Sequence, residues 1–311
     1  MRILATSLGR IAISASLVAA VAFGSASQAT ALGSRQDSGA AASASVERAT
    51  STAGIVKGVA KAGSAVVTGG TVRVSVPDQS RGTVTVSAAD DSIGIGLPDL
   101  GWSQPAAVSA AGTVTYGTPT TGADAVQPLS NGVRVLAIAP SAKTTEFRFP
   151  ISLPTGSFLA LEDGGVVSVN APIGNGAAGA VGAFQSPWAK DANGKTLPTS
   201  YRIEGNTLVQ SVVTNADTAY PIVADPHYTW GIVTGTVYFN KAETGVIADR
   251  ADWITVLSIF APPPWGTLLS AYSLYIHQAA GDARSLGLCV KFKSTGVAGF
   301  YGGSDGDGYC R

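Results

Sequence analysis

The stretch Tyr220-Pro221-Ile222-Val223-Ala224-Asp225-Pro226 decides how this chain is divided. Its two prolines hold Tyr220 and Asp225 in extended backbone, so it reads as an ordered strand-and-exit rather than a loose tether. On its N-terminal side the sequence reads as short β-strands and turns. On its C-terminal side come two helical patterns, two strands and both cysteines. The expected division is therefore a β-rich domain over 66–226 and a small α+β domain over 227–311.

Working back from that stretch, the period is two. Val72, Val74 and Val76 alternate with Arg73 and Ser75, and Val84 and Val86 alternate with Thr83, Thr85 and Ser87. Similar runs recur at Thr113 to Tyr116, Val133 to Ile138, Phe147 to Leu153, Phe158 to Leu161, Val166 to Val169, Tyr201 to Ile203 and Leu208 to Val213. Each is short, rich in β-branched residues and bounded by turn formers, which is the strand signature. Ser130-Asn131-Gly132, Asp163-Gly164-Gly165 and Glu204-Gly205-Asn206 read as tight hairpins, where Asn-Gly and Asp-Gly supply positive φ. The fold class read from this pattern is mainly β: an antiparallel β-sandwich or an elongated antiparallel sheet.

Working forward, Asn240 followed by Glu243 has the spacing of a capping box. It predicts a helix from Lys241 to about Phe260, ended by Pro262-Pro263-Pro264. A second helix is expected from about Trp265 to Arg284, with Leu268, Leu269, Tyr272, Ile276 and Ala279 on one face and Gly287 closing it. Leu288, Val290 and Phe292 then alternate with Cys289, Lys291 and Lys293 as a strand. The helical hairpin packs on a small sheet in this reading.

The first thirty residues address the compartment. Arg2 and Arg10 flank a basic start, Ile11 to Phe23 is uncharged and mostly apolar, and small residues follow with cleavage sites near Ala29 or Ala31. That is the signal-peptide pattern, and it predicts a secreted protein with residues 1–31 removed. Residues 32–65 are rich in Ala, Ser, Gly and Thr with almost no large apolar side chain, and read as a disordered arm with a frayed helix near Ala42 to Lys61. Lys plus Arg equal Asp plus Glu at 20 each in 311 residues, which excludes an electrostatic case for a nucleic-acid partner. Only 13% of residues are charged and 38 are glycine, as suits a turn-rich β protein with a Ser/Thr-coated surface. In an oxidising compartment the only two cysteines, Cys289 and Cys310, read as one disulfide.

Residues able to carry chemistry are few. The two histidines are His227 and His277, and Asp225 stands two before the first. No G-x-S-x-G elbow accompanies them, and two histidines alone do not make a zinc site. Asp90-Asp91 and Glu162-Asp163 are sequence neighbours, whose side chains on a strand point to opposite faces. Ser304-Asp305-Gly306-Asp307-Gly308 opens like a calcium loop but lacks the later ligands, leaving Asp305 and Asp307 as a weak Ca2+ candidate. Trp188 is a candidate ligand contact in a polar loop. From Trp253 to Gly281 there is no charged residue, a run of 29. Trp253, Trp265, Leu269 and Tyr272 within it are candidate membrane or partner contacts.

Several stretches together resemble a recurring module of secreted actinobacterial proteins. They are Pro187-Trp188-Ala189-Lys190-Asp191-Ala192-Asn193-Gly194-Lys195, Gly205-Asn206-Thr207-Leu208-Val209-Gln210 and the Tyr220 to Pro226 stretch. Val237-Tyr238-Phe239-Asn240-Lys241-Ala242-Glu243-Thr244 and Gly287-Leu288-Cys289-Val290-Lys291 resemble the small C-terminal domain often attached to it. The resemblance covers about Val126 to Arg311. It implies export, the division near residue 226 and the disulfide, and it brings no catalytic residues. Relatives often carry a further cysteine pair in the helical hairpin, which this chain lacks.

The expected function is that of an exported, non-enzymatic protein acting by surface contact, with a cell-wall polymer or an envelope protein as partner and no cofactor. The alternative is a secreted membrane-active effector using the hairpin at 253–281. A secreted hydrolase using His227 or His277 is the third reading.

Overall fold

The Tyr220 to Pro226 stretch lies inside a sheet. A computed structural model of the chain describes residues 39–57, 65–68, 72–89, 91–98, 103–173, 177–231, 235–252, 265–302 and 309–310, with 255 and 257. In it, Ile222–Ala224 and His227–Trp230 pair with one strand, Gly132–Ala139, in a single register: Ala224 lies opposite Ala137 and His227 opposite Arg134. Val135 N donates to Pro226 O at 2.9 Å, so only the missing N–H of Pro226 interrupts the ladder. The expected boundary at residue 226 therefore falls within a continuous strand pairing. Ala178–Phe184 carries the continuity further, because it pairs with His227–Trp230 and then with Thr236–Tyr238. Beyond Thr236–Tyr238 come Cys289–Lys293 and Ala298–Tyr301 at the end of the same sheet.

A second sheet of seven strands runs from Ala65–Thr68 through Val72–Ser75, Thr83–Ala88, Asp91–Gly96, Glu146–Ser152 and Thr207–Val212 to Thr199–Glu204. Its inward residues, among them Val74, Val84, Val86, Ile95, Phe149 and Leu208, share one core with Tyr116, Val133, Val135, Phe184 and Tyr228 of the larger sheet. The expected mainly β, sandwich-like fold is what the chain adopts. The strand Glu146–Ser152 alternates strictly between exposed and buried positions, as a strand with one wet face must.

Gly122–Leu129 and Gly132–Ala139 do not alternate, being buried almost throughout. The reason is a helix, α1 (residues 39–49), on the outer face of the larger sheet. Ala42 and Val46 of α1, both 0% exposed, pack with Ala123, Ala125, Leu136, Ile138 and Val223. Of the expected disordered arm, residues 39–49 thus form a docked helix, and Ile55 beyond it bridges to Leu129. Small residues of the helix lie over Ala123 and Ala125, while Leu136, Ile138 and Val223 supply the larger side chains of the interface. The leader and residues 32–38 and 58–64 of the arm lie outside the described residues.

In the C-terminal part, α2 (Lys241–Asp249) begins on the expected capping box: Asn240 Oδ1 accepts from Glu243 N at 3.0 Å and Asn240 N donates to Glu243 Oε2 at 2.6 Å. It ends earlier than expected. Arg250 turns extended and grips Asp252 through two hydrogen bonds of 2.7 and 2.6 Å. The second expected helix is two, α3 (Trp265–Ala271) and α4 (Ser273–Ser285). They part at Tyr272, whose backbone departs from helical geometry (φ −108°, ψ 17°) and whose ring meets Phe292 at 5.2 Å. Gly287 closes α4 at φ 69°, a left-handed position that favours glycine. Ile247, Leu269, Ile276 and Ala280 pack on Val237, Phe239, Val290 and Phe292.

Cys289 and Cys310 are joined across a separation of 21 residues, as expected. Opposite the helices, Cys289 packs with Phe158, Tyr238 and Tyr301. In the chain-entropy account a loop of this length contributes about 3 kcal/mol by restricting the unfolded chain. The Cys289→Ser/Cys310→Ser variant should accordingly lose about 3 kcal/mol in urea unfolding at pH 7. A loss under about 1 kcal/mol would mean the tail is not constrained by the bond.

Candidate functional site

Three of the polar groups that break the apolar pattern of the larger sheet fall in one row under the segment that follows α1. Gln127, Arg134 and His227 lie opposite one another on three adjacent strands, with Asp225 on the same face two residues from His227. Gln127, 0% exposed, donates from Nε2 to Thr50 Oγ1 at 3.1 Å and to Thr113 Oγ1 at 3.2 Å. Arg134 Nη1 donates to Gln127 Oε1 at 3.3 Å and to Ser51 O at 3.2 Å. Those contacts fasten the chain leaving α1 to the sheet. Lys190 Nζ adds another, donating to Ala49 O at 2.8 Å at the end of the helix, where a cation complements the exposed carbonyls.

Asp225 is fully buried. Its Oδ1 accepts from Trp188 N at 3.2 Å, its backbone O accepts from Tyr201 Oη at 3.0 Å, and Gln210 Nε2 donates to Trp188 O at 3.0 Å. Residue 225 therefore ties the strand of the smaller sheet to the loop at Trp188. Burial pushes its carboxyl up to about 8, against the smaller opposing effects of the Trp188 hydrogen bond and the Arg134 charge. His227 moves the other way, down to about 4, through burial and then the Arg134 guanidinium. At neutral pH both side chains are uncharged. Asp225 Oδ2 and His227 Nε2 are buried without a hydrogen-bond partner among the described residues.

Comparison with protein-family models, with curated proteins and with solved structures found no match. The functional reading therefore rests on this chain's own geometry.

Asp225 and His227, which the sequence places together, share a face but no hydrogen bond, and among the described residues no hydroxyl reaches His227 Nε2. In this geometry they do not form the nucleophile–base–carboxylate chain that a triad requires. His277 lies elsewhere, its Nδ1 2.7 Å from Ile247 O; the tautomer protonated there donates a bond that ties α4 to α2. Glu162 is held by three hydroxyls, from Tyr238 at 2.6 Å, Ser168 at 3.0 Å and Thr236 at 3.3 Å. Its neighbour Asp163 pairs with Lys293 at 2.6 Å, which lowers the Asp163 pKa. The two carboxylates pin the hairpin tip to the C-terminal strands rather than facing each other. Asp91 borders a shallow concavity of about 480 Å3 on the outer face of the smaller sheet, shared with Thr83, Thr85, Ser92 and Ser152.

Trp188 is half-buried against the α1 interface, with the Lys190 ammonium 5.6 Å over its ring. It pins the loop it begins. Of the four contacts expected in the uncharged run, Leu269 is 0% exposed in the helical core, whereas Tyr272 is 41% exposed. Leu269 is on the apolar face that the sheet needs, so it is not a surface residue. Trp253, the Trp265 side chain, Asp305 and Asp307 lie outside the described residues. Sequence reading missed Gln127, Arg134 and Gln210. A partial signal was present: each is a long polar side chain within a mostly apolar strand.

Proposed function

We propose that this is an exported, non-enzymatic module that acts by surface contact in the envelope or extracellular space. One observation carries the reading. Of the ten large apolar side chains exposed among the described residues, seven lie between Val246 and Phe300. Tyr272, Leu274 and Tyr275 stand together at the start of α4, at 41%, 58% and 46% exposure, with no charged residue before Asp282. Exposed aromatic and aliphatic groups clustered on one element mark a contact surface, whereas single ones do not. The disulfide supports an oxidising destination. No helix among the described residues is long and apolar enough to cross a membrane. The leader pattern and the resemblance to secreted actinobacterial modules point the same way.

The test is sedimentation of the purified mature protein with insoluble cell-wall polymer and with envelope protein fractions. Binding is expected, and Leu274→Ser/Tyr275→Ser should lower the bound fraction about five-fold or more with the fold intact. Absence of binding to either material would remove the reading. Action on a bilayer is the second reading, favoured by the same uncharged patch, whose Tyr rings suit a membrane–water interface. Dye release from lipid vesicles by the oxidised protein would put it first.

A further inference from the structure

The larger sheet ends on Ala298–Tyr301, and among the described residues no strand pairs with its outer edge. Lys293 N donates to Val297 O at 2.8 Å, so residues 297, 299 and 301 direct their backbone groups inward to Cys289–Lys293. By alternation, Ala298 and Phe300 direct their N–H and C=O groups outward. An edge of this kind is normally blunted by charge or proline. The edge Thr199–Glu204 is: it carries Arg202 and Glu204, which bridge to each other and to Arg148 and Glu146 of Glu146–Ser152. Residues 297–301, Val-Ala-Gly-Phe-Tyr, have neither.

We infer that this edge pairs with the same edge of a second copy, giving a two-fold symmetric dimer with a sheet continuous through both. The register is self-complementary about Gly299. An antiparallel two-fold there sets Ala298 of one copy opposite Phe300 of the other, and these are the residues with outward groups. Each such pair exchanges both N–H···O bonds, which leaves none of the four outward donors and acceptors at Ala298 and Phe300 unmatched. The side chains fit as well. Phe300, 38% exposed and on the helix side of the sheet opposite Val290, meets the small Ala298. On the other face the two Gly299 residues meet with no side chain to part the strands. Tyr272, whose ring lies about 3 Å from where a Gly296 Cβ would stand, extends the apolar surface on the Phe300 side. A heterologous partner would need a matching sequence; the second copy supplies one by symmetry.

Sedimentation of the oxidised mature protein should show a concentration-dependent dimer, weak because a five-residue edge lies at the small end of stable interfaces. Ala298→Pro removes only an outward N–H, so it should fold normally and weaken dimerisation about ten-fold or more. Gly299→Cys gives a second measurement that does not depend on that variant folding. A Cβ at 299 meets nothing closer than Lys291 side-chain carbons at 3.9 Å, so cysteine fits the monomer. Across the two-fold, residues of a non-hydrogen-bonded pair have Cα atoms about 4.5 Å apart, within disulfide reach. Oxidised Gly299→Cys should therefore run as a covalent dimer, whereas Val213→Cys, exposed just past the strand Thr207–Val212, should not. A protein that stays monomeric, with Gly299→Cys not cross-linking, overturns the inference. So does a dimer that Ala298→Pro leaves unchanged.

Discussion

Asp225→Asn should abolish a fall in stability that the wild-type protein undergoes between pH 7 and pH 8. The folded state holds a proton on Asp225 up to about pH 8, whereas the unfolded chain releases it near the ordinary carboxylate value. For such a raised carboxyl the stabilisation is fully present below the unfolded value and is lost as pH rises to the folded one. The slope while the two states differ by one proton is about 1.4 kcal/mol per pH unit. His227 opposes it. Held near 4, it is neutral in the fold while the unfolded chain takes up a proton below about 6.5, so stability from this group falls as pH drops through that window. The two slopes cancel at acid pH. Glu243, raised to about 7 by burial at the start of α2, has the sign of Asp225 and has lost most of its contribution by pH 7. That leaves pH 7 to 8 mainly to Asp225 among these groups.

Asparagine reproduces the neutral side chain: its Oδ1 still accepts from Trp188 N, and its amide replaces the carboxyl hydroxyl. Urea unfolding at half-unit steps from pH 6.5 to 8.5 reads the effect. The wild-type line should drop by roughly 1 kcal/mol or more between pH 7 and 8, and the variant line should stay level. A level wild-type line, or a variant that keeps the slope, would show that Asp225 is ionised in the fold at neutral pH. Proteins seldom bury a carboxylate without a cation in contact, because desolvation exceeds what one hydrogen bond returns. Arg134 acts on Asp225 only through its charge, its hydrogen bonds going to Gln127 and Ser51. The neutral form follows from that arrangement.

What could be read from the sequence, and what could not, follows from how local each signal is. The strands with one wet face, such as Glu146–Ser152, announce themselves by alternation, and the Asn240–Glu243 cap by spacing alone. The disulfide required only two cysteines and an oxidising compartment. The boundary near residue 226 was drawn where the residue pattern changes, and a proline there removes one ladder donor. Here the lost N–H falls where the partner strand can spare an acceptor, and the strand resumes at His227 in the same register. The second helix parts at Tyr272, whose ring meets Phe292, a tertiary contact that no local pattern encodes. The row Gln127, Arg134 and His227 was hidden for the same reason: the three become neighbours only through strand pairing, across a gap of about a hundred residues. His227 was singled out for its residue type, Arg134 was not, and Arg134 carries the contacts.

The docked α1 helix is the largest departure from the sequence reading, and its disruption should have the largest effect. An aspartate at Val46 would place a carboxylate against Ala123, Leu136 and Ile138 in place of a fully buried valine. Val46→Asp should destabilise the protein by about 3 kcal/mol or more, or release the helix and expose that surface to a hydrophobic dye. Ala44→Asp, on the exposed side of the same helix, should change neither. Trypsin distinguishes a docked helix from an arm. Arg48 is exposed, yet a peptide bond within a helix whose next residue, Ala49, accepts from Lys190 cannot enter a protease cleft without local unfolding. Cleavage after Arg48 should be slow in the wild-type protein and in Ala44→Asp, and fast in Val46→Asp. Equal rates in all three would return residues 39–49 to a mobile arm. The apolar outward face of Gly122–Leu129 and Gly132–Ala139 argues against that outcome, since a sheet with Ala123, Ala125, Leu136 and Ile138 on one face and Val126, Val133 and Val135 on the other needs a cover on both.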